Sequence, residues 1–400
     1  MNSIKRSDLT IVMATTLLAI YVDMGILNKI IISVLPIGSL MSIAYPLIIL
    51  FLIILSFVAK PVSNYKENKS VLFIDAFLLI WYLLTTIVCK EPRVTILFFI
   101  VYTIFPLTIP SLIKIDGKLF VKEIMIFPFW GIFFLDNLLS QKTVDTAESG
   151  SLMGLSYTLL VPIVANIIYL FSYFPKDDKK NKIAVLLFSL PNIAYAMQIF
   201  LFGSRGPLLT ILVLPLILFL LSRTEQNKLK TKPIFVVLAC FLFTIIYINF
   251  FPILEYISNI GQSVFQVRIA AVEKMLFFNE MGTIDNGRNN IATIAIQSIY
   301  ENPWGYGVDQ FYNNTGVIYP HNFILQILYD GGIILGSFFI ILLILKTIKK
   351  WKNYRYNEFS VFLLLFFISV PSALVSHDLW EIGALWLFFG LLFSKYFVVN

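Results

Sequence analysis

Two arginines and a histidine stand where a chain this greasy rarely places polar groups. Arg205 lies in Gly203-Ser204-Arg205-Gly206-Pro207, between two apolar runs. Its guanidinium can fork onto a phosphate, and a helix starting beside Pro207 would add N-terminal N–H groups. Proline suits that first turn, where its missing N–H costs nothing. The flanking glycines let a ligand approach the backbone closely. The competing reading is an arginine whose stem lies in hydrocarbon and whose head reaches the lipid headgroups. Arg288 follows the turn signal Asn286-Gly287 and opens a helix-patterned run, a second place to grip an anion. Its plainer role is a solvated loop charge beside Asp285. His321 is one of only two histidines. An imidazole titrating near ~6.5 can take a proton from a sugar hydroxyl at neutral pH or donate to a phosphate oxygen. It can equally be a polar residue at a helix start.

The elements that must position these groups are membrane helices. The 400 residues are 58% hydrophobic and 13% charged, with mean hydropathy +0.85, whereas soluble domains carry about 25% charge. Apolar runs lie near 9–24, 39–59, 71–88, 94–113, 119–137, 152–173, 183–202, 207–222, 233–252, 322–345, 359–376 and 384–398. Many reach the ~20 residues that cross a ~30 Å hydrocarbon core. A helix satisfies its backbone within one segment, as lipid demands. The expected fold is all-α: a polytopic membrane protein of about 12 transmembrane helices. Residues 1–400 are expected to form one integral membrane domain. The first run is expected to be retained rather than cleaved, and residues 26–38 extend it or form a re-entrant piece.

Lysine and arginine set the orientation. With the N-terminus inside, 22 of the 30 basic residues fall on the inner side, as the positive-inside rule asks. Lys29, Lys90, Arg93, Lys142, Arg205, Arg268, Lys274 and Arg288 fall outside. Both termini are then cytoplasmic, and the polar stretches at 203–206, 253–321 and 377–381 share the outer face.

Residues 253–321 form the one long loop, and long loops tend to be functional. It is expected to contain interfacial helices. Phe265, Ile269, Val272 and Leu276 share a helical face, as do Ile291, Ile294, Ala295 and Ile299. Within it, Asn302-Pro303-Trp304-Gly305-Tyr306-Gly307 reads as a shaped turn. Trp304 and Tyr306, with Phe311, Tyr312 and Tyr319, can stack on sugar rings or form an interfacial belt. Asn322 caps the following helix or orients His321. Gln326 faces the bundle one turn further on, where polar groups usually serve something. Asp330 is a carboxylate in need of a partner, for which an inward arginine is a candidate. Gly331, Gly332 and Gly336 read as a face for close helix packing. His377-Asp378 and Trp380-Glu381 bind an acceptor sugar or cap helix ends.

Several classes are excluded. The basic loops orient a membrane protein rather than bind nucleic acid. Cys89 and Cys240 are far apart and match no metal or disulfide pattern. No His/Cys cluster or carboxylate pair has metal-ligand spacing. Gly305-Tyr306-Gly307 follows no strand and is no nucleotide fingerprint, which disfavours a cytoplasmic sugar-nucleotide enzyme. The sequons at Asn68 and Asn313 are taken as chance matches. Against a transporter stands the concentration of polar groups at the outer face rather than at the midplane.

Gly203-Ser204-Arg205-Gly206, then Gly287-Arg288 with Glu301-Asn302-Pro303-Trp304-Gly305-Tyr306-Gly307, then Pro320-His321-Asn322 through Gln326 to Gly336, resemble motifs of the O-antigen polymerase and O-antigen ligase superfamily. Pro207 and Asp330 depart from its usual small residue and glutamate. The resemblance implies a metal-independent, inverting membrane glycosyltransferase with no cofactor. It would work on the outer face of the cytoplasmic (inner) membrane. Its donor would be an undecaprenyl-diphosphate-linked oligosaccharide, polymerised into O-antigen, capsular or exopolysaccharide of the cell envelope. A ligase would instead transfer glycan to lipid A–core; a lipid-linked oligosaccharide flippase is the alternative from another class. Arg205 and Arg288 would hold the diphosphate and His321 would assist at the reacting sugar, with Ser204, Trp304, Tyr306, Asn322 and Gln326 contacting substrate. Further partners implied are membrane lipid, a flippase and a chain-length regulator.

Overall fold

The structure, a computed structural model, describes residues 6–34, 41–58, 69–89, 91–134, 150–175, 178–202, 205–223, 229–231, 248–264, 269, 272–273, 276–277, 288–353, 356–394 and 397–399. The described residues are all-α apart from two short strand pairings. Its helices are α1 (Arg6–Val34), α2 (Met41–Val58), α3 (Lys69–Val88), α4 (Ile96–Leu112), α5 (Gly117–Ile126), α6 (Gly150–Tyr173), α7 (Lys179–Phe202), α8 (Arg205–Leu220), α9 (Phe250–Ser263), α10 (Arg288–Glu301), α11 (Phe311–Thr315), α12 (Phe323–Asn353), α13 (Tyr356–Val375) and α14 (Gly383–Phe393). Strand β1 (Ile115–Asp116) pairs in parallel with β4 (Val398–Val399), and β2 (Leu221–Arg223) pairs antiparallel with β3 (Leu229–Thr231).

Among the described residues, six segments are long and apolar enough to cross a membrane: Leu9–Ile32, Lys69–Val88, Gly154–Tyr173, Lys179–Phe200, Phe323–Lys352 and Asn357–Val375. Shorter apolar helices occupy Ile96–Leu112, Gly206–Phe219 and Gly383–Phe393. The first helix runs on to Val34, so residues 26–34 extend it. The run expected at 119–137 becomes α5 followed by a tighter 3₁₀ stretch, Phe127–Phe134. Most of the run expected at 233–252 lies outside the described residues.

The chain forms two compact units, and the long loop is divided between them at Gly287 and Arg288. One unit holds 29–36 and 125–287. In it, Ser189 on α7 donates to Asn166 on α6 at 2.8 Å, and the Tyr195 hydroxyl donates to Pro128 O at 2.7 Å. Polar side chains thus lock helices whose apolar faces gain little from packing in lipid. Leu254 of α9 buries against Ile269 and Val272, with Leu276 at the edge, so three of the four predicted face residues cluster. Phe265 lies outside the described residues.

The other unit holds 1–28, 37–124 and 288–400. Its core stacks aromatics of α3, α4, the 376–382 loop and α14. Trp380 lies 5.5 Å from Trp386 at 20° and 5.5 Å from Phe99. On α10, Ala295 and Ile299 bury against Phe311 and Tyr329, with Ile291 beside them. Ile294 is instead exposed: the helix turns one side of the predicted stripe outward.

Candidate active site

The second unit carries the candidate site, and a broken helix organises it. Within α12, Gly332 has φ 69° and ψ 177°, outside helical geometry. The break orphans the carbonyls of Tyr329 and Asp330 and the N–H of Ile333, and buried backbone groups must find partners. The 303–307 turn supplies them. Tyr306 N–H donates to Tyr329 O and Gly307 N–H to Asp330 O, each at 3.0 Å, while Ile333 N–H donates to Pro303 O at 2.8 Å. Gly305 (φ 91°) sits so close that a Cβ there would overlap the backbone of Gly332 and Asp330, and one on Gly332 would overlap Pro303 and Trp304. The glycines at 305 and 332 therefore dock a loop onto a helix break. This corrects the reading of Gly332 as part of a helix-packing face. Gly336 does serve close packing, against the backbone of Ile327 and Leu328 in the preceding half of α12.

Beneath the turn is a polar network. Asp330, 1% exposed, accepts from Trp380 Nε1 at 2.8 Å and from Asp309 N–H at 3.3 Å. Its partner is thus an indole, and the arginine expected for it goes elsewhere. Arg93 bonds Asp378 at 2.8 Å and Glu381 at 2.7 Å. Asp378 also accepts from Gln326 Nε2 at 2.8 Å and caps its own turn through Trp380 N–H at 2.9 Å. Gln326 Oε1 accepts from Leu379 N–H at 2.9 Å. Asp309, with φ 55°, accepts from Val94 N–H at 2.7 Å. Burial, with Asp378 nearby, pushes Asp309 up to about 7 against the pull of Val94 N–H and Arg93. Burial likewise raises Asp378 and Glu381, and Arg93 opposes it in both.

The two histidines lie near one another at the edge of this network. His321 has φ 54°, a conformation disfavoured for a residue with a Cβ. Its ring meets Tyr319 edge-on at 4.4 Å, and the Tyr319 hydroxyl donates to Ser376 O at 2.6 Å. That bond ties the His321 loop to the one carrying His377. Burial first, and then the charge of Arg288, lower His321 to about 4. Burial lowers His377 to about 4, with a further contribution from His321. The buried Nδ1 of His321 has no hydrogen-bond partner among the described residues.

Of the residues picked from sequence, Arg288 and His321 share the second unit, and the charge of Arg288 reaches His321. Arg288 opens α10 and is half-buried. Trp304 is 77% exposed and free to meet a ligand. Tyr306 stacks on Tyr329 at 4.5 Å and donates to Ser298 O at 3.2 Å, so it braces the loop. Asn322 Oδ1 accepts from Ile324 N–H at 2.9 Å and Leu325 N–H at 3.3 Å, capping α12. Gln326 uses both ends of its amide inside the network. Arg205 belongs to the first unit and is the first residue of α8; Gly203 and Ser204 lie outside the described residues. Arg93 and Asp309 were missed. Arg93's signal was being one of few cations on the basic-poor side; Asp309 offered none. The Asn313 amide donates to Glu91 O at 2.9 Å, a bracing role for the chance sequon.

Residues 190–340 match the O-antigen ligase family model. The match spans all three motif regions and bears out the resemblance to the O-antigen ligase and polymerase superfamily. With the apolar helices, the match fits a multi-pass membrane protein similar to that family. No curated protein and no solved structure matches the chain.

The lowered histidine sets a pH expectation. A group whose folded value falls from 6.5 to about 4 stays neutral, and able to accept a proton, down to about pH 4. With His321 as the proton acceptor, the acid limb of kcat/KM, which reports the free enzyme, is expected near pH 4. A pH–rate profile falling instead around ~6.5 would mean an ordinary imidazole or another group. Arg288→Met is expected to move the limb upward, because it removes the positive charge beside His321.

Proposed function

We propose that the protein is a membrane glycosyltransferase that polymerises undecaprenyl-diphosphate-linked repeat units on the outer face of the cytoplasmic membrane. The observation that carries this reading is the buried His321 ring, strained at φ 54° at the start of α12 inside the matched segment and within reach of the Arg288 charge. Arg288 neutralises charge building on the departing lipid diphosphate, as preorganised charge does in other transferases. His321 accepts the proton of the attacking sugar hydroxyl. The hydroxyl oxygen bonds to the anomeric carbon from the face opposite the diphosphate, the carbon–oxygen bond to the diphosphate breaks, and the configuration inverts. Exposed Trp304 offers a ring face to the glycan. Arg205 is the second cation of this reading, from the family motif and its place at a helix start.

Arg205→Ala is expected to insert and accumulate normally while ending polymer growth in a strain lacking the native gene. Long polymer from that variant would remove Arg205 from the mechanism. The matched family's description, O-antigen ligase, keeps a second reading, transfer of the glycan to lipid A–core. Purified protein given only lipid-linked repeat units separates them: a ladder of lengthening products marks a polymerase, and no product until lipid A–core is added marks a ligase.

A further inference from the structure

The second unit contains a groove that the transfer reaction does not use. Its volume is about 660 Å³, and its walls come from α3, α12, α14 and the 379–380 turn. Phe73, Phe77, Leu335 and Phe338 line it and are exposed, so it opens sideways toward lipid. Along α3 it runs from Lys69 to Trp81, about 18 Å at 1.5 Å per residue. One leaflet of a ~30 Å hydrocarbon core is about 15 Å deep, so the groove has the length of a single acyl chain.

Its two ends differ in charge. Lys69 and Lys346 line one end. The Lys346 ammonium lies 5.1 Å from the Phe393 ring centre, folded over the groove, and Lys349 adds like charge beside it. Neither Lys69 nor Lys346 has an ion pair among the described residues. The other end is closed by Trp81, Gly331 and Trp380, and behind Trp380 sits the Asp330 carboxylate. A lipid with its anionic head at the Trp380 end would face that acid. One with its head at the lysine end meets two cations.

We propose that this groove binds one anionic glycerophospholipid, its phosphate at Lys69 and Lys346 and one acyl chain extending toward Trp81. This rests on the membrane class of the protein and not on its reaction. Trp81, Trp380 and Trp386 line the groove and report on its occupant. The protein is placed in phosphatidylcholine nanodiscs, and phosphatidylglycerol or phosphatidylcholine with brominated chains is titrated in. Brominated phosphatidylglycerol is expected to quench tryptophan fluorescence at a mole fraction on the order of tenfold lower than brominated phosphatidylcholine. Lys69→Gln with Lys346→Gln is expected to erase that preference, and native mass spectrometry should lose the one retained anionic lipid. Equal quenching by the two lipids in the wild type would overturn the proposal, leaving only annular lipid. So would displacement of brominated phosphatidylglycerol by undecaprenyl diphosphate with the lysine variant retaining its preference, which would assign the groove to the prenyl tail of the donor. None of these readouts involves sugar transfer, so their failure leaves the proposed reaction untouched.

Discussion

Replacing Arg288 with alanine is expected to lower turnover by about 10²- to 10³-fold, the usual effect of removing one preorganised group that stabilises transition-state charge. The side chain opens α10, where it adds to the unpaired N–H groups of a helix start, and its charge reaches His321. An anion there meets cation and helix terminus together. The loss should fall on kcat and kcat/KM alike, because the charge on the diphosphate grows as the bond breaks. Arg288→Lys should recover part of it, since an ammonium keeps the charge and loses the two-pronged fork. The measurement is single-turnover transfer from lipid-linked donor by purified protein, with a thermal melt to show that the fold is intact. Unchanged turnover in a folded Arg288→Ala protein would remove Arg288 from the mechanism.

The second large effect concerns stability. Arg93→Ala is expected to cost about 3 kcal/mol, the lower end for removing one partner of a buried ion pair. The lower end applies because the Arg93 side chain is 30% exposed, while that of Asp378 is 0% exposed. Glu381, 38% exposed, contributes little of this. The loss comes from leaving Asp378 charged and unpaired beside the raised Asp309. Arg93→Ala combined with Asp378→Asn should therefore be more stable than Arg93→Ala alone. A double-mutant cycle on thermal or denaturant unfolding in detergent checks this. Additive losses would show that the pair is not coupled. Because Asp378 also holds Gln326 and the turn after His377, Arg93→Ala should slow transfer as well.

Much of the fold was legible because lipid imposes a strict rule on backbone hydrogen bonds. Apolar runs at 71–88, 152–173, 183–202, 322–345 and 359–376 each correspond to a helix long enough to span. The candidate site can be traced residue by residue. Arg288 and His321 stood out as polar residues at helix starts in an apolar chain, and the charge of Arg288 reaches His321. Asn322 and Gln326 were found as polar positions, yet both spend their hydrogen bonds on the protein. Their types were visible, but which of two available uses each would serve depends on neighbours more than 50 positions away for Gln326.

Asp330 shows the same limit. A buried carboxylate needs a donor, and an arginine was a reasonable expectation. The fold instead brings Trp380 to it from 50 residues on and gives Arg93 to Asp378, 285 residues away. The glycine run Gly331, Gly332 and Gly336 fits helix packing as a pattern. Only the left-handed backbone at Gly332 and the turn docked on it reveal a helix break.

The amino-acid sequence by itself determined the class, the apolar runs and the chemistry available at each polar stretch, because hydrophobicity and ionisable groups are local properties. The tertiary structure decided which of those groups are spent on one another and which face outward. Hydrogen bonds and desolvation depend on what the fold brings within about 3 Å, and no local pattern encodes that.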